Sequence, residues 1–355
     1  VLSSNPLYLL EAIRKSTDKF VLFSEAGQIK VPQKGNFIFS LLEKNVFEVA
    51  LMNEKSFHPK VWLIKYTDAE GKSLFRLIVL SRNLTFDRSW DIVLCLEGER
   101  TEQLTDKNQS LADFLSFLIP YTKDDSKNEK IQEMISELEY VHFDPQNKHY
   151  TDFNFLPLGI EGHGKQETGL FEDYQDLIII SPFLSKGTVE ELRAFARNEE
   201  SKKYLITRRS ELGKLNQSII DDFEVYVLKD FVIDGESSLS ESSGEDEGTE
   251  IARQQDIHAK MYVRRKDSVY HFYMGSANCS HNAFHGNVEF MLHFEFKKYG
   301  FRLQHILTDL FGEDERENPF EKVEEIPKGI ETEKDLTDIL EKAIKRLSRT
   351  SAQAV

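Results

Sequence analysis

Two cysteines among 355 residues, Cys95 and Cys279, are too few for a disulfide framework, and neither has a partner at zinc-ligand spacing. Both are expected to be small, reduced core residues. Stability must then come from burial, for which 40% hydrophobic and 11% aromatic content is sufficient. Long apolar runs are also missing. Nothing approaches the roughly eighteen uninterrupted apolar residues of a membrane span, and VLSSNPLYLL lacks the basic start and cleavage site of a signal peptide. A cytoplasmic location is the resulting expectation. The chain does not begin with Met, which suggests a processed product or a piece of a longer protein whose preceding segment could carry a partner domain.

Positive charge is scarce as well. Against 61 Asp and Glu stand 45 Lys and Arg, a net charge of −16. Nonspecific affinity for nucleic acid comes largely from cations neutralising phosphates, so a long nonspecific DNA groove is disfavoured. The deficit is uneven, however. Residues 234–250, DGESSLSESSGEDEGTE, carry seven acidic residues and no basic one, and the tail after Gly312 is rich in Glu. Acidic flanks of this kind leave room for a small basic cleft, which suits a short-substrate or end-processing enzyme better than a processive binder.

What the chain does have is a pattern written twice. FHPKVWLIKY carries His58 and Lys60, and IHAKMYVRRK carries His258 and Lys260. Each is followed by apolar stretch, polar turn and apolar stretch. Then come Ser81, Asn83, Thr85 and Asp91 in the first half, and Ser276, Asn278, Ser280 and Glu289 in the second. One HxK arises by chance in many chains. Five residue types recurring in order do not. Read as strands, each HxK puts its imidazole and ammonium on one face, with Pro59 and Ala259 turned away. Asn83 and Asn278 also match the glycosylation sequon, a reading that fits poorly without a secretory signal.

The paired HxK, SxN and D/E elements resemble the phospholipase D superfamily, over roughly residues 1 to 312. Lys65 and Arg265 stand about where the lipases of that superfamily carry an Asp, so the pattern is closer to its tyrosyl-DNA phosphodiesterase and nuclease branches. The resemblance implies an α/β fold of two similar α/β/α lobes with mixed sheets, related by a pseudo-two-fold axis, with the active site between them. The lobes would be 1–155 and 156–312, the second with an acidic mobile loop at 234–250. An acidic segment and an amphipathic C-terminal helix would fill 313–355. It further implies metal-independent phosphodiester hydrolysis through a covalent phosphohistidine, without a cofactor. His58 is expected as nucleophile and His258 as general acid. Lys60, Lys260, Asn83 and Asn278 would hold the phosphate oxygens, and Asp91 and Glu289 would orient the histidines. Ser81, Ser276, Thr85 and Ser280 are expected behind these groups.

Around that centre, Arg82, Arg88, Arg208 and Arg209 are candidates for holding backbone phosphates, with Phe183 as a stacking surface for a base. The expected substrate is DNA or RNA. The alternatives are a phospholipid phosphodiesterase or phosphatidyltransferase, and a nucleic-acid-binding or assembly module with a vestigial site. His271, His281, His285 and His293 are read as rim or surface residues, and no metal is expected. In EKDLTDILEKAIKRLS, Leu336, Ile339, Leu340, Ala343, Ile344 and Leu347 form one helical stripe, expected to pack on its own domain or, alternatively, on a partner.

Periodicity gives two passes of one programme. The first reads strand KFVLFSEA, helix FIFSLLEK, strand VFEVALM, a hairpin from HPKVWLIKY to SLFRLIVLS, and strand SWDIVLCLE. The second reads strand DLIIISPF, helix TVEELRAFARN, strands KYLIT and EVYVLKD, a hairpin from HAKMYVRR to VYHFYMGS, and strand NVEFMLHFEF. LADFLSFLIPYT and EKIQEMISELEYV are helical and would bridge the lobes.

Overall fold

The apolar, β-branched runs of the second half build the largest element of the fold. A computed structural model describes residues 6–29, 42–53, 55–83, 89–229, 256–314, 318–326 and 343–344. In chain order, β1 is Leu22–Glu25, β2 Val46–Val49, β3 Val61–Thr67, β4 Ser73–Leu80, β5 Ser89–Trp90, β6 Val93–Arg100, β7 Val141–Asp144 and β8 Tyr150–Leu158. They are followed by β9 Asp176–Ile180, β10 Lys202–Ile206, β11 Glu224–Leu228, β12 Asp256–Ile257, β13 Met261–Lys266, β14 Val269–Gly275, β15 Glu289–Phe296 and β16 Phe320–Val323. The helices are α1 Pro6–Ser16, α2 Gln109–Leu118, α3 Asp125–Leu138, α4 Lys186–Ala194, α5 Gln217–Ile220, α6 His281–His285 and α7 Leu303–Phe311.

An eight-stranded mixed sheet runs β16-β11-β10-β9-β13-β14-β15-β8. Its β9, β10 and β11 are parallel neighbours, whereas β13, β14, β15 and β8 form an antiparallel run. Every residue of β9 is buried, as expected of a strand covered on both faces. Its Leu177 and Ile179 share a core with the helical layer, through Val189 and Leu192 of α4 and Ile219 of α5. A four-stranded sheet, β3-β4-β6-β7, repeats the antiparallel programme of β13, β14 and β15 in the first half. A separate pair joins β5 to β12 in parallel, Ser89 opposite Asp256 and Trp90 opposite Ile257.

The chain divides into two compact units. The smaller holds residues 1–58, 102–141 and 333–355, and the larger 59–101 and 142–332. In the smaller unit, β1 and β2 pair in parallel. There Asn108 donates from Nδ2 to the carbonyls of Leu138 and Val141, both at 2.7 Å, which ties the start of α2 to the end of α3. The larger unit contains every motif residue except His58.

The mixed α/β class is as the sequence indicates, and both hairpins fall where expected. Three points differ. The strands begin one residue after each HxK, at Val61 and Met261, because Pro59 has no N–H to give a ladder and the Ala259 N–H goes elsewhere. Strand β8 was not anticipated: its run from Phe155 to Leu158 is apolar without alternation, and it gains its place by pairing with β15. Cys95 is exposed on β6, on the strand face opposite its buried neighbour Leu96, while Cys279 is buried. The helix FIFSLLEK up to residue 41, the acidic segment 234–250 and most of the C-terminal stripe lie outside the described residues.

Candidate active site

The two copies of the motif are held by the same set of bonds. The Lys60 carbonyl accepts from Leu80 N–H at 2.9 Å, and the Lys260 carbonyl from Gly275 N–H at 3.4 Å. Ser81 N–H donates to the Ile92 carbonyl at 2.9 Å, and Ser276 N–H to the Phe290 carbonyl at 3.0 Å. Each serine hydroxyl then accepts from the backbone it faces, Ile92 N–H and Phe290 N–H, both at 2.9 Å. Each also donates to the acidic residue just before that backbone group, Ser81 to Asp91 at 3.3 Å and Ser276 to Glu289. Both serines are buried. Their work is to tie each carboxylate to the end of the second strand of the hairpin, β4 in the first copy and β14 in the second.

The copies also meet. Lys260 Nζ donates to the carbonyl of Ser81 at 2.9 Å and to that of His258 at 3.0 Å. Trp90 O accepts from both His258 N–H, at 2.9 Å, and Ala259 N–H, at 2.8 Å. The residue before Asp91 therefore positions the second HxK, a role that the sequence did not reveal. Lys60 and Lys260 are 7% and 2% exposed, which makes two buried ammonium groups within electrostatic reach of each other.

That arrangement controls protonation. Burial first, then Lys60, draws the pKa of Lys260 down to about 7, against the opposing pull of Glu289 and Asp91. The pKa of His258 is lowered as well: burial, then Arg208, Lys260, Arg82 and Lys60, bring it down to about 3. Its imidazole is neutral at physiological pH. Burial raises the pKa of Asp91, opposed by Arg82, Ser81 and Lys260.

Arg82 and Arg208 are thus part of this group. Arg82 Nε lies 2.9 Å from Asp91 Oδ2, and its Nη1 donates to Ser89 Oγ at 3.2 Å. Arg208 Nε pairs with Asp256 Oδ2 at 2.8 Å and donates to the Ile257 carbonyl at 3.1 Å. Its guanidinium sits 4.6 Å from the ring centroid of Phe183, which is 41% exposed. Arg209 is not in the group, being paired with Glu321 of β16. Glu289 additionally accepts from Asn287 Nδ2 at 3.3 Å. Asn278 is half-buried with its Oδ1 buried and without a hydrogen-bond partner among the described residues, and Asn83 is exposed. Ser280 caps α6, accepting from Ala283 N–H at 3.4 Å. His58 is the last residue of its segment of the smaller unit. Thr85 and Arg88 lie outside the described residues.

The other histidines are elsewhere. His281 and His285 stack at 4.5 Å on α6. His271 and His293 lie toward the far ends of β14 and β15, with Glu295, their ligand atoms within 4.8 Å of one another. His271 Nδ1 and His293 Nε2 share a hydrogen bond at 3.0 Å, and that bond uses the lone pair a cation would need.

No protein-family model matches the chain, and no curated protein sequence is similar to it. Solved structures are. Phosphatidylserine synthase of Haemophilus influenzae Rd KW20 aligns over 96% of this chain and 85% of its own, with a TM-score of 0.50 at 9% identity. Yeast tyrosyl-DNA phosphodiesterase aligns over 80% and 78%, with a TM-score of 0.46 at 13% identity. The polyphosphate kinase of Porphyromonas gingivalis aligns over 96% and 47%, with a TM-score of 0.42 at 12% identity. The fold of this chain is similar to that of the phosphatidylserine synthase. No helix among the described residues is long and apolar enough to cross a membrane.

Proposed function

We propose that this protein is a phosphodiesterase that works through a covalent phosphohistidine, without a metal, on nucleic acid. The observation that carries the reading is the junction of the two motif copies. A neutral histidine stands among Lys60, Lys260, Arg82 and Arg208, with the Lys260 ammonium bonded across to the first copy at Ser81. Four cations around one uncharged imidazole suit a phosphodiester anion and a nucleophile.

That environment favours exchanging the roles that the resemblance implies. A nucleophile must be unprotonated and a general acid protonated, and it is His258 that burial first, and then the surrounding cations, keep unprotonated. In the proposed reaction an unprotonated ring nitrogen of His258 attacks phosphorus. The bond from phosphorus to the leaving oxygen breaks, and that oxygen takes the proton of the His58 imidazolium. Neutral His58 then takes a proton from water, whose oxygen attacks phosphorus, and the phosphorus–nitrogen bond breaks to free His258. The lysines stabilise the charge on the non-bridging oxygens, assisted by the amides of Asn83 and Asn278. Asp91 and Glu289 act on the cations and on Ser81 and Ser276 that frame them.

Nucleic acid is favoured over phospholipid by Phe183, whose exposed ring beneath the Arg208 guanidinium offers a flat platform for a base next to His258. The test incubates the protein in EDTA with labelled single-stranded, duplex and 3′-blocked oligonucleotides beside a phospholipid panel. Cleavage of an oligonucleotide that survives chelation, and disappears in His258→Ala, is expected. Adduct trapped by denaturation at alkaline pH, where the phosphorus–nitrogen bond survives, and mapped by peptide mass spectrometry should lie on His258. An adduct on His58 restores the opposite assignment. Turnover of phospholipid alone would point to the lipid reading, and no turnover at all to a binding module.

A further inference from the structure

At the opposite end of β13 from Lys260 lies a second basic feature that the proposed chemistry does not use. A cleft of about 740 Å³ is lined by the start of β10, the β13–β14 turn and the loop from β15 into α7. It contains Lys202, Lys297, Lys298, Arg302, Tyr299 and Phe301. Arg265 is five residues beyond Lys260, so along an extended strand the cleft begins about 17 Å from the catalytic lysine.

Its charge is not neutralised locally. The two carboxylates in the lining are already engaged, Asp176 with Arg265 and Asp267 with Arg197 at 2.8 Å. Lys202, Lys297, Lys298 and Arg302 are exposed and form no ion pair among the described residues. Four such cations on one cleft are out of keeping with a chain of net charge −16, where chance placement would put carboxylates beside them.

The loop is also built to present an aromatic ring. Phe301 N–H donates to the Lys298 carbonyl at 3.1 Å, closing a turn in which Gly300 has φ +75°, a value that glycine accepts without strain. Phe301 anchors the turn from below, its ring 5.1 Å from Tyr270, 4.7 Å from Phe296 and 5.3 Å from His305. Tyr299, at the corner, is fully exposed. A pinned turn holding two lysines and an unpacked tyrosine combines phosphate attraction with a stacking surface, the pair of features by which single strands are held without sequence preference.

We infer that this cleft is a second, non-catalytic binding site for single-stranded nucleic acid. Duplex is disfavoured because only unstacked bases can meet Tyr299. The inference rests on the nucleic-acid reading of the active site, and supplies an acidic protein with a hold on polyanionic substrate remote from the scissile phosphate.

The test measures fluorescence anisotropy of a fluorescein-labelled oligothymidylate, with His258→Ala as the common background so that the probe stays intact. Adding Lys297→Glu and Lys298→Glu together should weaken binding at least tenfold and lower the salt slope of log Kd by about 1.4, the share of two phosphate contacts on a single strand. Tyr299→Ala should weaken oligothymidylate binding at least fivefold while leaving inorganic polyphosphate binding within twofold. In the protein with His258 intact, the same surface changes should leave turnover of bis(p-nitrophenyl) phosphate unchanged, with thermal melts showing that each variant folds. Oligothymidylate affinity within twofold of the parent in both variants overturns the inference, as does a Tyr299→Ala that changes neither ligand. Failure of the unsubstituted protein to hydrolyse any phosphodiester would instead strike the proposed function, and the binding result would still be read on its own terms.

Discussion

A lysine with a pKa of about 7 is a conditional cation, and the condition at Lys260 is the presence of an anion. Burial and Lys60 disfavour its proton in the free protein, and on the proposed reading a bound phosphodiester would restore it. Binding of a monoanionic diester such as diphenyl phosphate should therefore take up a proton above pH 7. The sign follows directly: the complex holds more protons than the free protein, so affinity falls as pH rises, by up to about tenfold per unit. His258, with a pKa of about 3, stays neutral across this window and does not contribute. Calorimetric titration between pH 7 and 9 checks this, and an affinity that stays flat would show that Lys260 keeps its proton throughout. The repeated residues of the candidate site were legible in the sequence because they recur in order, whereas Trp90, which has no counterpart in the second copy, was not. Protonation was not legible, because the burial that chiefly keeps His258 neutral, and the Arg208 and Arg82 that add to it, depend on elements far away in the chain. Arg209 adjoins Arg208 in sequence and yet faces Glu321, a distinction that only packing makes.

At the scale of elements, the site depends on how closely β14 approaches β15. A Cβ on Gly275 would meet the Phe290 carbonyl oxygen at 2.3 Å and the Met291 Cα at 2.7 Å, both backbone atoms that cannot swing aside. Gly275→Ala must push the strands apart at the residue next to Ser276, whose bonds to Glu289 and Phe290 N–H hold the second half-site. The expected cost is about 2–3 kcal/mol of stability, with turnover of a small phosphodiester reduced more than tenfold at temperatures where the variant remains folded. Gly187 in α4 is the contrast, since a Cβ there meets nothing within 4 Å. Gly187→Ala should keep activity and raise stability by up to about 1 kcal/mol. Equal effects of the two substitutions on activity, by melting and steady-state rates, would refute the role given to the strand approach. Most strands and both hairpins were readable from apolar runs and the turn TDAEGK. The displacement of each HxK ahead of its strand was not, since in the second copy it depends on Trp90 O capturing two N–H groups, a contact between distant segments. Strand β8 was hidden for a related reason: its pattern gains meaning from the β15 edge that it completes.

At the scale of the whole molecule, a net charge of −16 opposes the approach of a polyanion, while the cations at the junction of the motifs and in the β15–α7 cleft attract it at short range. The two effects respond differently to salt. Repulsion from the overall charge acts over a Debye length, which shrinks from about 30 Å at 0.01 M to about 10 Å at 0.1 M ionic strength. Contact with phosphates is weakened by counterion competition that grows steadily with salt. On the proposed reading, kcat/KM for a long single-stranded oligonucleotide should therefore rise from about 10 to 100 mM salt as repulsion is screened, and fall beyond that as contacts are lost. A monoanionic diester, which feels little of the long-range field, should show only a shallow monotonic decline over the same range. The experiment is a salt series of initial rates on both substrates at constant pH. A steep fall for the oligonucleotide from the lowest salt onward is the behaviour of a uniformly basic binder, and would mean that the acidic bulk of this chain is too far from the path of the substrate to affect it.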